Sequence, residues 1–264
     1  VVLAGAGKMG GALLRGWLDA GIDAVRIVVF EPAPTADLLA LASQTGLRLN
    51  PPLDAVRDAC VSVLAVKPQI MPQALPGFLP LKAAGGVFVS IAAGKQTAFF
   101  EQVFGPDTPV VRAMPNLPAS IGRGVSVLYA NARASPAQRE LAHALLATVG
   151  QVAWVEDEAL LDAVTAVSGS GPAYVFLFVE CMMKAAQTLG LTPAQSKELV
   201  YKTLTGSAHL LEKADDDAAT LRAKVTSKGG TTQAATDVFM ARQIEKIFTD
   251  ALIAARNRAK ELAK

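Results

Sequence analysis

Hydrophobic and polar positions change rhythm once along this chain. In the first half, short β-branched runs at residues 1–4, 25–30, 61–66, 87–91 and 110–112 alternate with alanine- and leucine-rich segments of helical period. Runs that are apolar at nearly every position suit strands covered on both faces, and βαβ alternation predicts a mostly parallel sheet with right-handed crossovers. A strand over 124–130, a helix over 136–148 and a strand over 151–155 extend the pattern, and after Glu156 the strand signal stops. Helical periodicity then dominates 159–167, 172–189, 193–214, 218–225, 231–240 and 243–262. The expectation is an α/β domain over residues 1–156 followed by an all-helical domain over 157–264.

The helical half is too apolar for one buried stripe per helix. Tyr174, Val175, Phe176, Leu177, Phe178 and Val179 go round every side of one helix, and such a helix must be covered on all sides. About 100 residues cannot bury several helices of this kind alone, so a large homodimeric interface is expected here.

Composition narrows the function classes. Of 264 residues 52% are hydrophobic and 18% charged, and the formal net charge of +2 comes without a polybasic block, so neither nucleic acid nor an anionic membrane is an expected partner. The aliphatic and aromatic run at 173–179 stops at Glu180, far short of the roughly 20 residues that cross a bilayer. Cys60 and Cys181 lie in apolar stretches, which fits reduced core residues in a cytoplasmic protein better than a disulfide framework. The run Asp215, Asp216, Asp217 reads as a solvated turn at a helix start rather than a metal site, and no metal is expected.

Candidate chemistry begins with "VVLAGAGKMGGALLRGWL". A strand leads into Gly5, Ala6, Gly7, Lys8, Met9 and Gly10, then a helix, with the glycines in G-x-G-x-x-G spacing. That spacing provides a tight turn, close approach of backbone to a pyrophosphate and a helix N-terminus that attracts phosphate, the signature of a dinucleotide-binding Rossmann unit. The second strand ends at Glu31, where a carboxylate can accept hydrogen bonds from adenosine ribose hydroxyls. Read alone it favours NAD, and no Lys or Arg follows until Arg48. A solvated strand-end carboxylate is the plainer alternative.

"LAVKPQIM" places Ala65, Val66, Lys67 and Pro68 at another strand end, where ligands of open sheets bind. Lys67 is either a solvated charge or a helper near the phosphates. "SIAAGK" places Ala92, Ala93 and Gly94 at the next one, small enough for a nicotinamide or ribose to approach, and Asn116 in "RAMPNLPASIG" either hydrogen-bonds a ligand or shapes a turn. "SGSGPAYVF" reads as ligand contact or as capping before Pro172, a good first helical residue. In "VTSKGGTT", Gly229 and Gly230 interrupt a helical pattern that restarts at Thr231 or Thr232, which makes either a capped turn or a nest of N–H groups for a small carboxylate.

Together "AGAGKMGGAL", "LAVKPQ", "RAMPNLPASIGRG", "AVSGSGPAYVF" and above all "LRAKVTSKGGTTQAA" resemble pyrroline-5-carboxylate reductase over nearly the whole chain. The resemblance implies a Rossmann domain plus an interlocked helical dimerisation domain, sometimes with five dimers in a decamer. It implies that Ser227, Gly229, Gly230 and Thr231 hold a substrate carboxylate through backbone N–H groups and that Thr232 hydrogen-bonds the ring nitrogen. It also implies that residues 5–10, 66–68 and 92–94 touch the cofactor. Two positions depart from the family pattern: Lys228 stands where many relatives have Pro, and Glu31 where NADPH users often keep a neutral or basic group. The expected reaction is hydride transfer from NADPH or NADH to the C=N carbon of 1-pyrroline-5-carboxylate, giving L-proline. A protonated cyclic imine is already electrophilic, so positioning carries the burden. A β-hydroxyacid dehydrogenase would need a lysine base on the long interdomain helix, yet residues 168–183 contain none. A noncatalytic dinucleotide-sensing dimer would have no use for a second, carboxylate-binding pocket.

Overall fold

A computed structural model describes residues 1–56 and 58–262. It forms two compact units, one of residues 1–170 with 254–264, the other of residues 171–253. The expected division at 156/157 falls inside the first unit. There α6 (Leu160–Val164) follows the last strand.

The first unit is built on β1 (Val2–Ala4), β2 (Val28–Phe30), β3 (Arg48–Leu49), β4 (Val61–Leu64), β5 (Val87–Ser90), β6 (Val110–Met114), β7 (Gly124–Ala130) and β8 (Gly150–Trp154), in the order β3-β2-β1-β4-β5-β6-β7-β8. All neighbours pair parallel except β6 and β7, so the sheet is mostly parallel as expected. Its helices are α1 (Lys8–Asp19), α2 (Ala36–Thr45), α3 (Met71–Ala74), α4 (Thr97–Phe104) and α5 (Pro136–Ala147). Two buried clusters cover the two faces. Leu13, Leu14 and Trp17 of α1 pack with Leu145 and Leu146 of α5 on one face, while Met71, Phe88, Phe100 and Phe104 pack on the other. Full burial on both sides explains why the strands read as continuous apolar runs.

Two local readings change. Residues 24–26 form a 3-10 turn whose first N–H groups are tied by Asp23, so β2 starts only at Val28. The two-residue β3, at the sheet edge beside β2, has too short a run to announce itself.

The second unit contains α7 (Gly171–Thr188), α8 (Pro193–Lys213), α9 (Ala218–Lys224), α10 (Thr231–Ala241) and the start of α11 (Ile244–Leu262). Their starts are well signed. Thr192 and Gln195 form a capping box for α8, and Asp217 caps α9 through the Thr220 N–H, a contact that holds this carboxyl below its usual range. Phe176 and Leu177 on α7 are 58% and 59% exposed in the single chain. The two cysteines are free and exposed rather than core residues, Cys181 because it shares this uncovered helix. The helical run from Leu160 to Thr188 is also longer than its aliphatic stretch implied, and by length and composition it could cross a bilayer.

Ser168, Gly169, Ser170 and Gly171, read as ligand contact or as capping, do not form a cap before a new helix. α6 passes through a π turn at Thr165–Gly169 into α7 without a loop. The Ser170 N–H reaches back five residues to the Thr165 carbonyl at 2.8 Å. Pro172 has no N–H for the Ser168 carbonyl four residues earlier, and the Asn116 carboxamide donates to that oxygen instead at 3.2 Å.

Candidate dinucleotide and carboxylate sites

In the first unit the glycine-rich turn leads from β1 into α1, whose N-terminus receives no side-chain cap. Its first-turn N–H groups, those of Lys8, Met9 and Gly10, have no partner within the helix and form a ready anion site. A side chain on Gly10 would put its Cβ 2.1 Å from the Gly5 carbonyl oxygen, so this glycine lets the helix sit against the turn. A Cβ on Gly7 would meet no protein atom within 4 Å. The space above Gly7, on the rim of the adjoining cavity, is therefore open, and the residues present fit a bound pyrophosphate.

Beside the turn opens a cavity of about 550 Å³ that brings together Gly5, Gly7, Glu31, Ala65, Val66 and Lys67 from the ends of β1, β2 and β4. Phe30, Pro32, Ile70, Ala74 and Phe78 supply its apolar walls, and Asn50 its remaining polar one. Glu31 is tied on all sides. Its Oε2 accepts from the Ala6 N–H at 2.8 Å and its Oε1 from the Ala33 N–H at 3.2 Å. Its backbone N–H donates to Asn50 Oδ1 at 2.8 Å, and its carbonyl accepts from Asn50 Nδ2 at 2.9 Å. Glu31 is therefore a strand-end carboxylate held by backbone N–H groups, with one edge on the cavity. Asn50, which the sequence reading passed over, sits at φ 49°, a left-handed conformation that Asn tolerates better than most residues.

Ala92, Ala93 and Gly94 follow β5, where the Ala92 N–H donates to Ser90 Oγ at 3.3 Å. They do not line this cavity. Their loop is held by Glu158, which accepts from the Thr97 N–H at 2.7 Å, from the Thr97 hydroxyl at 2.8 Å, and from Arg112 Nη1 at 2.8 Å. Arg112 is buried, so this carboxylate both caps α4 and neutralises the cation. Asn116 has structural work in this unit: its Oδ1 accepts from the Val125 N–H at 3.0 Å while its Nδ2 donates to Ser168. Neither histidine enters the dinucleotide cavity. His143 accepts from the Trp154 indole N–H at 3.3 Å.

In the second unit, Gly229 adopts φ 73°, which glycine accommodates freely. The turn that results spends its own donors. Gly230 N–H bonds the Ser227 carbonyl at 3.0 Å, and Gly229 N–H bonds Gln233 Oε1 at 2.7 Å. The donors left for an anion are the first-turn amides of α10, on Thr231, Thr232 and Gln233, which the helix cannot satisfy and no side chain caps. Gln233 was not expected at this site, although a side chain four residues beyond Gly229 on a helix start is well placed to return to it. Ser227 and Thr231 flank the turn and are exposed, and Thr232 is half-buried. The first lysine of α7, Lys184, is exposed and paired with Glu180 at 2.6 Å, so α7 offers no free lysine base near its start.

A doubly wound sheet with a glycine-rich turn at its first helix, in a chain with an apolar helical unit, is the architecture of nicotinamide-dependent oxidoreductases. Residues 158–262 match the family model described as pyrroline-5-carboxylate reductase dimerisation, and residues 1–94 match NADP oxidoreductase coenzyme F420-dependent. The pyrroline-5-carboxylate reductase of Pseudomonas aeruginosa is 41% identical over 265 residues, covering 100% of this chain and 97% of that protein. A solved pyrroline-5-carboxylate reductase from Coxiella burnetii superposes with a TM-score of 0.93 at 34% identity, covering 100% of this chain and 98% of that one. The Plasmodium falciparum enzyme, solved with NADP bound, gives 0.87 at 26% identity, covering 100% and 97%. The chain belongs to the pyrroline-5-carboxylate reductase family. Its helical half is accordingly a dimerisation domain, which accounts for the exposed apolar surface of α7 without a membrane.

Proposed function

We propose that this protein reduces the C=N bond of 1-pyrroline-5-carboxylate to give L-proline, using NADPH or NADH. The reading is carried by one observation beyond family membership: α10 begins with uncapped amides beside the Thr232 hydroxyl, which has no hydrogen-bond partner among the described residues. The amides of residues 231–233 hold the substrate carboxylate, aided by the Ser227 to Gly230 turn that fixes their direction. The Thr232 hydroxyl hydrogen-bonds the ring nitrogen and orients the imine. In the first unit, Lys8, Met9 and Gly10 amides hold the cofactor pyrophosphate, Glu31 the adenosine ribose, and residues 65–68 and 92–94 flank the rest. When bound, the cofactor supplies the hydride. The protein contributes alignment of two reactants and needs no side-chain acid, because the protonated imine is electrophilic already.

The functional division is placed at 156/157, supported by the match of the dimerisation model from residue 158. The working unit is a homodimer, with a pentamer of dimers as the larger assembly that the family resemblance implies, in a reducing cytoplasm that suits two unpaired cysteines. The test is to mix purified protein with pyrroline-5-carboxylate and either NADPH or NADH and follow absorbance of the reduced nicotinamide. Loss of absorbance that needs the imine supports the reading. Its absence with both cofactors overturns it.

A further inference from the structure

We infer that Glu31, locked between the phosphate turn and Asn50, makes this chain discriminate against a 2′-phosphate and therefore prefer NADH over NADPH. The inference rests on the proposed dinucleotide site and sharpens it.

An acidic group at the end of the second strand of such a fold meets the adenosine ribose hydroxyls. Whether it excludes a 2′-phosphate depends on its freedom to swing away, and Glu31 has little. One carboxylate oxygen is held by the Ala6 N–H of the phosphate turn and the other by the Ala33 N–H beyond β2. Its backbone is clipped in both directions by Asn50. Each carboxylate oxygen still has acceptor capacity for a ribose hydroxyl. Turning out to make room for a phosphate would break two hydrogen bonds and loosen the turn that holds the pyrophosphate.

Among the described residues, none of the hydrogen bonds of Glu31 comes from a cation. Arg48, the next basic residue along the chain, donates from its Nη2 to the Ala55 carbonyl at 3.2 Å. Lys67 is the one cation among the described lining residues, but it follows β4, and the sheet order sets β1 between β4 and β2. Two strand spacings put its backbone about 10 Å from the Glu31 strand end. A phosphate carrying nearly two negative charges would thus face a fixed carboxylate, with Lys67, rooted two strands away, as the cation among the described lining residues.

The test measures binding without turnover: isothermal titration of the full-length protein with ADP-ribose and with its 2′-phosphate, in wild type and Glu31→Gln. Glutamine removes the charge and keeps an acceptor for the Ala6 N–H. The expected result is wild-type affinity for ADP-ribose at least about 10-fold above that for its 2′-phosphate, with Glu31→Gln closing that gap by about 10-fold through tighter binding of the phosphorylated ligand. Glu31→Ser, which removes the charge and its reach, should close the gap in the same direction, and an unchanged melting temperature certifies that either variant is folded. Equal or tighter wild-type binding of the 2′-phosphate overturns the inference, as does a ratio that neither folded variant moves. If wild type binds neither ligand, the dinucleotide site itself is wrong, an outcome distinct from lost discrimination.

Discussion

Replacing Asn116 by Ala should destabilise the first unit and leave dinucleotide affinity alone. The side chain makes two hydrogen bonds, from the Val125 N–H and to the Ser168 carbonyl, and it is 9% exposed. Alanine takes the side-chain partner from a donor on β7 and from an acceptor in the π turn. An orphaned buried group costs about 1 to 3 kcal/mol. Val125 and Ser168 are only half-buried, so water recovers part of that, and about 2 to 3 kcal/mol in total is expected. For a chain of this size that is a fall in melting temperature of roughly 4 to 10 °C, measured at one fixed protein concentration because association adds to apparent stability. Asn116→Asp separates the two bonds: it still accepts from Val125 but presents an acceptor to the Ser168 oxygen. It should lose a substantial part of the same amount. The reasoning fails if Asn116→Ala melts within about 1 °C of wild type, or if it melts normally but no longer binds ADP-ribose, which would make Asn116 a ligand contact.

Three further substitutions probe the second unit. Thr232→Ala should lower kcat/KM about 10- to 1000-fold, the range for removing one aimed hydrogen bond, while nicotinamide cofactor affinity measured by fluorescence stays within about twofold; unchanged turnover removes Thr232 from the mechanism. Gly230→Val should weaken inhibition by proline-like carboxylates, because its Cβ would lie 2.5 Å from Ser227 Oγ and displace the turn that directs the α10 amides; an unaltered inhibition constant contradicts that placement. Phe178→Asp on α7 should shift the sedimentation profile toward monomer, since it puts a charge into apolar surface that the partner must cover, at a cost of several kcal/mol; a dimer surviving at micromolar dilution refutes that role for α7.

What the sequence disclosed was whatever depends on neighbours along the chain. The glycine-rich turn between β1 and α1 was legible because its glycines, its strand and its helix are contiguous, and the helix starts at Thr192 and Asp217 carry their signals within three residues. Partners set by register were not. Asn50 reaches Glu31 only because β3 pairs with β2, and β3 is two residues long. Glu158 reaches Thr97 from 61 positions away and Arg112 from 46, through the folding of the sheet rather than through any spacing. The gap at residues 168–171 was read as a break because proline ordinarily starts a helix. A distant carboxamide, meeting the carbonyl that Pro172 leaves vacant, allows the helix to run through.

The same contrast explains why α7 announced an interface so plainly. No residue of α7 is buried within the single chain, although its 174–179 stretch is apolar on every side. Val175, Phe176, Leu177 and Phe178 are already about half covered, so burying what remains of them would contribute about 0.75 to 1.5 kcal/mol each, and each counts once in both subunits. That gross gain of roughly 6 to 12 kcal/mol is of the same order as the estimated 4 to 15 kcal/mol that association itself costs. One helix is therefore not enough to hold two subunits. The surplus must come from the other exposed apolar faces of this unit, Leu210 and Leu211 on α8, Val238 and Phe239 on α10, and Ile247 and Phe248 on α11. Exposed apolar residues on four helices give this unit the extent of surface that a large homodimeric interface needs, where one stripe would not.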